Sequence, residues 1–261
     1  MSAGTAADLA ALLRRSERVV AFTGAGISTE SGIPDFRSPG GIWTRYDPRE
    51  FTFDRYVASP DLRASSWAMR RELFRRSPDP NQAHRALVDL ERAGRLRAVI
   101  TQNIDGLHQL AGSADVVEIH GTARDVLCIG HVPTGGVPAG CGFRAALDWA
   151  LARVDEGDAD PACPDCGGLV KSATVSFGQV LFPGVVDEAV ALVRAADLVL
   201  TVGSSLQVYP AADLPLEGIR SGAAVAIVNN EETPLDRLAE VVVHGQAGEV
   251  LPAAIQGALA E

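Results

Sequence analysis

The apolar run Val19-Val20-Ala21-Phe22 passes through Thr23 into Gly24-Ala25-Gly26, and this junction constrains the fold more than any other stretch of the chain. A short, continuously apolar run is the pattern of a strand buried on both faces, and Gly-x-Gly after it reads as a turn into a phosphate-cradling loop. One glycine lets the backbone bend, and the second lets it come close to a pyrophosphate. The strand pattern recurs at 96–101, 116–119, 198–202, 223–228 and 240–243. Helical spacing of apolar residues marks 6–15 ahead of the first strand, then 81–93, 185–195, 213–221 and 248–259. Buried strands alternating with helices predict an α/β, doubly wound, Rossmann-like parallel sheet.

Two segments break that rhythm. Residues 51–76 read as mostly helical, with Trp67, Arg70, Arg71 and Phe74. Residues 124–168 hold all four cysteines, many Gly and Pro, and one helix at 145–154. Together they predict a smaller module beside the sheet.

The formal net charge is −10, which argues against a general nucleic-acid binder. The first residues lack a basic, then apolar, leader pattern, and no stretch has the apolar length of a membrane span. The expected compartment is the cytoplasm, where structural disulfides are rare, so the cysteines read as metal ligands or redox groups. Cys163-Pro164-Asp165-Cys166-Gly167-Gly168 is half of a zinc knuckle. A thioredoxin-like redox pair is disfavoured because no matching βαβ pattern surrounds Cys163. The other half is irregular: Cys128 is followed three residues on by His131, and the next cysteine is Cys141. Either His131 stands in for a cysteine, or a loop is inserted and the ligands are Cys128, Cys141, Cys163 and Cys166.

The nucleotide loop departs from the dehydrogenase fingerprint. Thr29 stands where a third glycine is required, and Gly41-Ile42-Trp43-Thr44 supplies no ribose-binding acid and no strand. An ordinary hydride-transferring enzyme is disfavoured. His120 lies between Ile119 and Gly121 at a strand end, so it falls at the carboxyl edge of the sheet, where open α/β folds bind ligands. An imidazole there suits a general base.

The segment Gly24-Ala25-Gly26-Ile27-Ser28-Thr29-Glu30-Ser31-Gly32-Ile33-Pro34-Asp35-Phe36-Arg37 resembles the signature of the sirtuins, NAD-dependent protein deacylases. The likeness continues in order through Thr101-Gln102-Asn103-Ile104-Asp105-Gly106-Leu107-His108, Glu118-Ile119-His120-Gly121, Ser176-Phe177-Gly178 and Gly203-Ser204-Ser205-Leu206. It implies NAD as co-substrate, one structural Zn2+, and acylated-lysine proteins or peptides as partners, with no direct nucleic-acid or membrane contact. The oligomeric state is left open, a monomer being compatible.

The resemblance also implies site roles. His120 is the general base, with Asn103 and Asp105 catalytic around the nicotinamide and its ribose. NAD contacts fall to Gly24, Ala25, Gly26, Thr29, Asp35, Phe36, Arg37, Gln102, Asn103, Ile104, Asp105, Gly203, Ser204, Ser205, Asn229 and Ala247. Asp35, Phe36 and Arg37 close a lid, Phe36 shielding the reactive sugar carbon. The peptide pairs as a strand beside Val175, Phe177 and Gly178 on one side and Val208 on the other. His108 reads as structural. The gap from Cys141 to Cys163 matches the family's usual spacing, which favours the all-cysteine zinc site.

The implied large domain is 1–40, 80–123 and 169–261; the small domain comes from a helical insertion at 41–79 and a zinc-binding insertion at 124–168. Sirtuins that remove acidic acyl groups carry a Tyr-x-x-Arg pair, whereas this chain has Trp67 before Arg70, which favours acetyl over succinyl groups. Two alternatives share the NAD pocket: protein mono-ADP-ribosyl transfer, and a non-catalytic NAD or ADP-ribose sensor. The presence of His120, Asn103 and Asp105 argues against the sensor.

Overall fold

The computed structural model describes residues 4–36, 38–44, 47, 49, 52–74, 78–131, 136 and 138–260. Arg37, expected in the lid, and Phe51 and Arg76, at the ends of the expected helical segment, lie outside the described residues.

The chain opens with α1 (Ala6–Arg15), β1 (Val19–Thr23) and a 3-10 turn (Ala25–Ser31). Next come α2 (Phe53–Ala58), α3 (Pro60–Phe74), α4 (Gln82–Arg92), β2 (Leu96–Thr101), α5 (Leu107–Ala111) and β3 (Val116–Glu118). Then follow β4 (Gly121–Gly130), β5 (Arg144–Ala146), α6 (Leu147–Asp155), β6 (Leu169–Thr174) and α7 (Val185–Ala195). The chain closes through β7 (Leu198–Val202), α8 (Leu214–Arg220), β8 (Ala224–Asn229), β9 (Val241–His244) and α9 (Ala247–Leu259).

Six strands form one parallel sheet in the order β3-β2-β1-β7-β8-β9. The pleat explains why β1 is apolar throughout. Val19 and Ala21 face a core built with α1, α4 and α9, including Leu9, Leu13, Leu87 and Leu251. Val20 and Phe22 face the opposite core, with Ala189, Val193 and Leu214 from α7 and α8. A strand covered on both faces has no solvent side on which to place polar residues. Local caps reinforce the helices. Thr5 and Asp8 form a reciprocal capping box on α1, and Asn81 with His84 does the same on α4.

A second sheet, antiparallel in the order β5-β4-β6, carries the cysteines. Its strands are not apparent in the sequence because polar residues such as Asp125, Lys171 and Ser172 interrupt the apolar pattern. This sheet takes in 121–123 and 169–174, stretches that fall within the large domain implied by the resemblance. The helical and cysteine-bearing insertions share one core: Trp67 of α3 packs with Val126, Cys128, Leu147, Ala150, Cys163 and Val170. Buried Arg63 of α3 reinforces the join with a 2.8 Å ion pair to Asp160. No helix among the described residues is long and apolar enough to cross a membrane.

Candidate active site

From β1 the parallel sheet extends one way through β2 and β3 and the other way through β7, β8 and β9. The loops leaving β1 and β7 therefore diverge, opening a crevice at the carboxyl edge. The glycines lining it are required by one another. A Cβ on Gly24 would lie 2.7 Å from the Gly203 oxygen, and one on Gly26 would lie 2.7 Å from Gly203 Cα. Gly203, at φ +61°, faces Ile27 N at 2.3 Å in the same sense, and Gly26 N–H donates to its carbonyl at 2.8 Å. The tightest demand for glycine is thus loop against loop. The sequence reading gives one glycine to the backbone bend and the other to the approach of a pyrophosphate.

Ser28 ties the crevice together. Its hydroxyl donates to Asp105 Oδ2 at 2.8 Å and accepts from Asn103 Nδ2 at 3.1 Å. Asn103 Nδ2 also lies 3.1 Å from the Gly24 carbonyl, so the Asn103 amide N–H donors are directed into the loop. Asp105 Oδ1 accepts the Leu107 N–H at the start of α5. Gln102 reaches across the sheet to Ser204 Oγ at 2.8 Å, and Ile104 accepts Ala123 N–H at 3.0 Å. Ser31 Oγ is buried without a hydrogen-bond partner, leaving one further polar atom in the Gly-rich segment unsatisfied. Thr29 turns its hydroxyl onto the Gly26 carbonyl.

His120 sits half-buried where β3 passes into β4, its Nδ1 3.1 Å from the Gln102 carbonyl. A carbonyl only accepts, so Nδ1 holds the proton and Nε2 presents a lone pair. Burial lowers the pKa of His120 below the usual imidazole value, against the opposing effect of the Gln102 contact. The ring is therefore held neutral at neutral pH, the state a base needs.

Behind the crevice lie two buried histidines, His84 and His108, with ring centroids 4.8 Å apart. His108 Nε2 meets Thr23 Oγ1 at 2.9 Å; that hydroxyl meets Thr101 Oγ1, which in turn accepts the Asn103 N–H. Burial pushes His84 down to about 4, opposed by the Asp105 charge, and pushes His108 down to about 3, with His84 adding to the effect.

On the lid side, Asp35 accepts the Ser38 N–H at 2.8 Å and the Ser38 hydroxyl at 2.5 Å, while Phe36 is 40% exposed. The remaining edge is main chain. Val175 N–H donates to the His120 carbonyl at 2.8 Å, linking His120 to the segment that runs on to Phe177 and Gly178. Phe177 and Tyr209 expose large apolar side chains on the two segments expected to flank a peptide, Val180 is exposed just beyond the first of them, and Val208 is half-buried.

The four cysteine sulfurs lie within 4.8 Å of one another, with Cys128–Cys166 and Cys141–Cys163 each at 3.6 Å. Four thiolates around zinc at about 2.3 Å stand about 3.8 Å apart, so this set fits a closed tetrahedral ion. His131 is exposed and is not one of the group. The all-cysteine alternative is the one the fold assembles.

A sequence model of the Sir2 family matches residues 24–210. An NAD-dependent protein deacetylase from Streptomyces coelicolor is 46% identical over 92% of this chain and 97% of its own length. One from Bradyrhizobium diazoefficiens is also 46% identical, over 92% and 91%. This chain belongs to the Sir2 family. Solved Sir2 structures agree. A complex with deacetylated p53 peptide and 3′-O-acetyl ADP-ribose superposes with a TM-score of 0.86 at 36% identity, covering 97% of this chain and 98% of that one. A Sir2–p53 peptide–NAD+ complex gives 0.83 at 36% identity, covering 95% and 96%.

Within this Sir2 fold, Asn229 ends β8, its side chain donating to the Glu231 carbonyl at 2.8 Å, and Ala247 is buried at the first turn of α9. Ser205 follows Ser204 in the β7 loop. Sequence reasoning missed Ser28 as a bridge, although it stands inside the Gly-rich signature. It also missed the His84–Asn81 pair. Trp67, the residue that breaks the Tyr-x-x-Arg pattern, is a core side chain 1% exposed.

Proposed function

We propose that the chain is an NAD-dependent protein-lysine deacetylase, consuming NAD and an acetyl-lysine protein or peptide and yielding nicotinamide, O-acyl-ADP-ribose and the free lysine. The observation that carries this reading is the neutral His120, its tautomer set by Gln102, at the crevice lined by Asn103, Asp105 and Ser28. Bound NAD supplies a cleavable bond between ribose and nicotinamide. The polar set fits such a dinucleotide: hydroxyls and amides for ribose, glycine turns for close approach, and an unsatisfied Ser31 Oγ.

His120 Nε2 removes a proton from a ribose hydroxyl. Asn103, with its N–H donors engaged by Gly24 and Ser28, offers its carbonyl oxygen to the ribose or a water. Asp105, oriented by Ser28 and Leu107 N–H, engages the nicotinamide carboxamide. Asp35 and Phe36 close over the sugar. Thr29, Gln102, Ile104, Ser204, Ser205, Asn229 and Ala247 complete the NAD contacts. The peptide adds as a strand between Val175–Phe177–Gly178 and Val208, main-chain pairing giving affinity with little sequence demand. The site is the cleft between the six-stranded and three-stranded modules, and the protein works in the cytoplasm.

Incubation with NAD and an acetylated peptide tests this. Peptide-dependent nicotinamide release with loss of an acetyl mass is expected. A mass gain on the peptide would indicate ADP-ribosyl transfer, and NAD binding without turnover would leave a sensor.

A further inference from the structure

The loop between the first two zinc ligands does not stay within the zinc module. Its base is tightly seated: Ala139 N–H donates to the Ile129 carbonyl at 3.2 Å, and a Cβ on Gly140 would lie 1.9 Å from the Cys128 oxygen. Its Gly136 is buried and lands on the segment that follows Phe177. The Gly136 carbonyl accepts Val180 N–H at 3.0 Å, and a Cβ on Gly136 would lie 2.2 Å from the Gly178 oxygen. The other end of this segment is held by the helical insertion, Phe53 N–H donating to the Phe177 carbonyl at 2.9 Å. Segment 177–180 is thus pinned at both ends, while Phe177 and Val180 keep their side chains 45% and 54% exposed.

We propose that Gly136 is a positioning residue for the acyl-peptide substrate, fixing the 177–180 segment through its carbonyl and so coupling the zinc knuckle to peptide binding. The twelve residues between Cys128 and Cys141 are far more than a C-x-x-C hairpin needs to bring two sulfurs together. The contact with Val180 gives that extra chain a role. The partner is an extended peptide segment whose backbone passes Gly178 and whose apolar side chains cover Phe177 and Val180. This inference rests on the reading of 175–178 as the peptide edge.

Gly136→Ala adds a Cβ against Gly178 at a backbone of φ +73°. It should raise peptide KM about tenfold while NAD KM, kcat and zinc content hold. Gly142→Ala is the control: it lies in the same knuckle at φ +96° with nothing within 4 Å, so it imposes backbone strain without touching the peptide edge. Its peptide KM should match the wild type. Replacing 131–138 by two residues keeps all four cysteines, buried Ile129 and its contact with Ala139, removes the Gly136 contact without a new Cβ, and should also raise peptide KM.

An unchanged peptide KM in Gly136→Ala overturns the proposal, as does an equal rise in Gly142→Ala. If Gly136→Ala fails to fold, the shortened loop decides by the same criterion. Phe177→Ala separates the two readings. A raised peptide KM there with none in Gly136→Ala sinks the coupling alone; no effect in either sinks the peptide edge itself.

Discussion

His120 Nδ1 stands 3.1 Å from the main-chain oxygen of Gln102, so the residue that opens the Gln102–Asp105 loop also sets which imidazole nitrogen of His120 is free. The same Gln102 spans to Ser204 at 2.8 Å. Gln102 thus orients His120 through its backbone and braces the β2 loop against the β7 loop through its side chain.

Removing the base tests its role directly. His120→Ala should lower kcat by about 10²- to 10⁴-fold, the usual worth of general-base catalysis. Titration calorimetry with NAD should show affinity within a few-fold of wild type. Retained turnover would remove His120 from the mechanism. Because burial lowers the His120 pKa, the acid limb of kcat/KM in the wild type should fall below pH of about 6.5.

Ser28→Ala deletes the bridge between Asp105 and Asn103 without touching the core strands. Loss of one hydrogen bond to a carboxylate is worth about 1.5–3 kcal/mol, so kcat/KM for NAD should drop about 10- to 100-fold. The urea midpoint should move little. A large fall in the midpoint with unaltered kcat/KM would instead mark Ser28 as structural only.

The pair His84–His108 predicts acid sensitivity of the fold. Unfolded, each ring titrates near 6.5; folded, burial holds His84 at about 4 and His108 at about 3. Acidification therefore loads protons onto the unfolded chain first. Stability should be full above pH of about 6.5 and fall by about 1.4 kcal/mol per pH unit per histidine toward about pH 4. Urea melts at about pH 7, 6 and 5 measure the slope, and His108→Gln should shallow it.

The zinc assignment separates Cys141 from His131. Cys141→Ser should lose the metal and loosen the three-stranded module, seen as zinc below about one per chain and faster proteolysis there. His131→Ala should keep a full zinc complement. Equal zinc loss in both variants would contradict the all-cysteine cluster.

Much of the large module was determined by the sequence alone, because burial on both faces writes itself into composition. The spans 6–15 and 185–195 coincide with α1 and α7, and the runs at 96–101 and 198–202 coincide with β2 and β7. Each is apolar in the period its environment demands. The signature blocks likewise carried the family, since the residues that handle the ligand are contiguous in short loops.

Tertiary structure alone decided what depends on pairing across the chain. Strands β4 and β6 hide behind polar residues: Lys171 and Ser172 are buried in β6 and Asp125 of β4 pairs with Arg144, while Val126, Cys128 and Val170 pack on Trp67. The Cys141–Cys163 spacing already favoured Cys141 over His131 through the family resemblance, and the fold bears this out by gathering the four sulfurs within 4.8 Å of one another. Gly24, Gly26 and Gly203 were legible as a turn toward a ligand. That they are glycine so that two loops from distant strands can touch is a fact of three dimensions, set by where the parallel sheet brings β1 and β7 side by side.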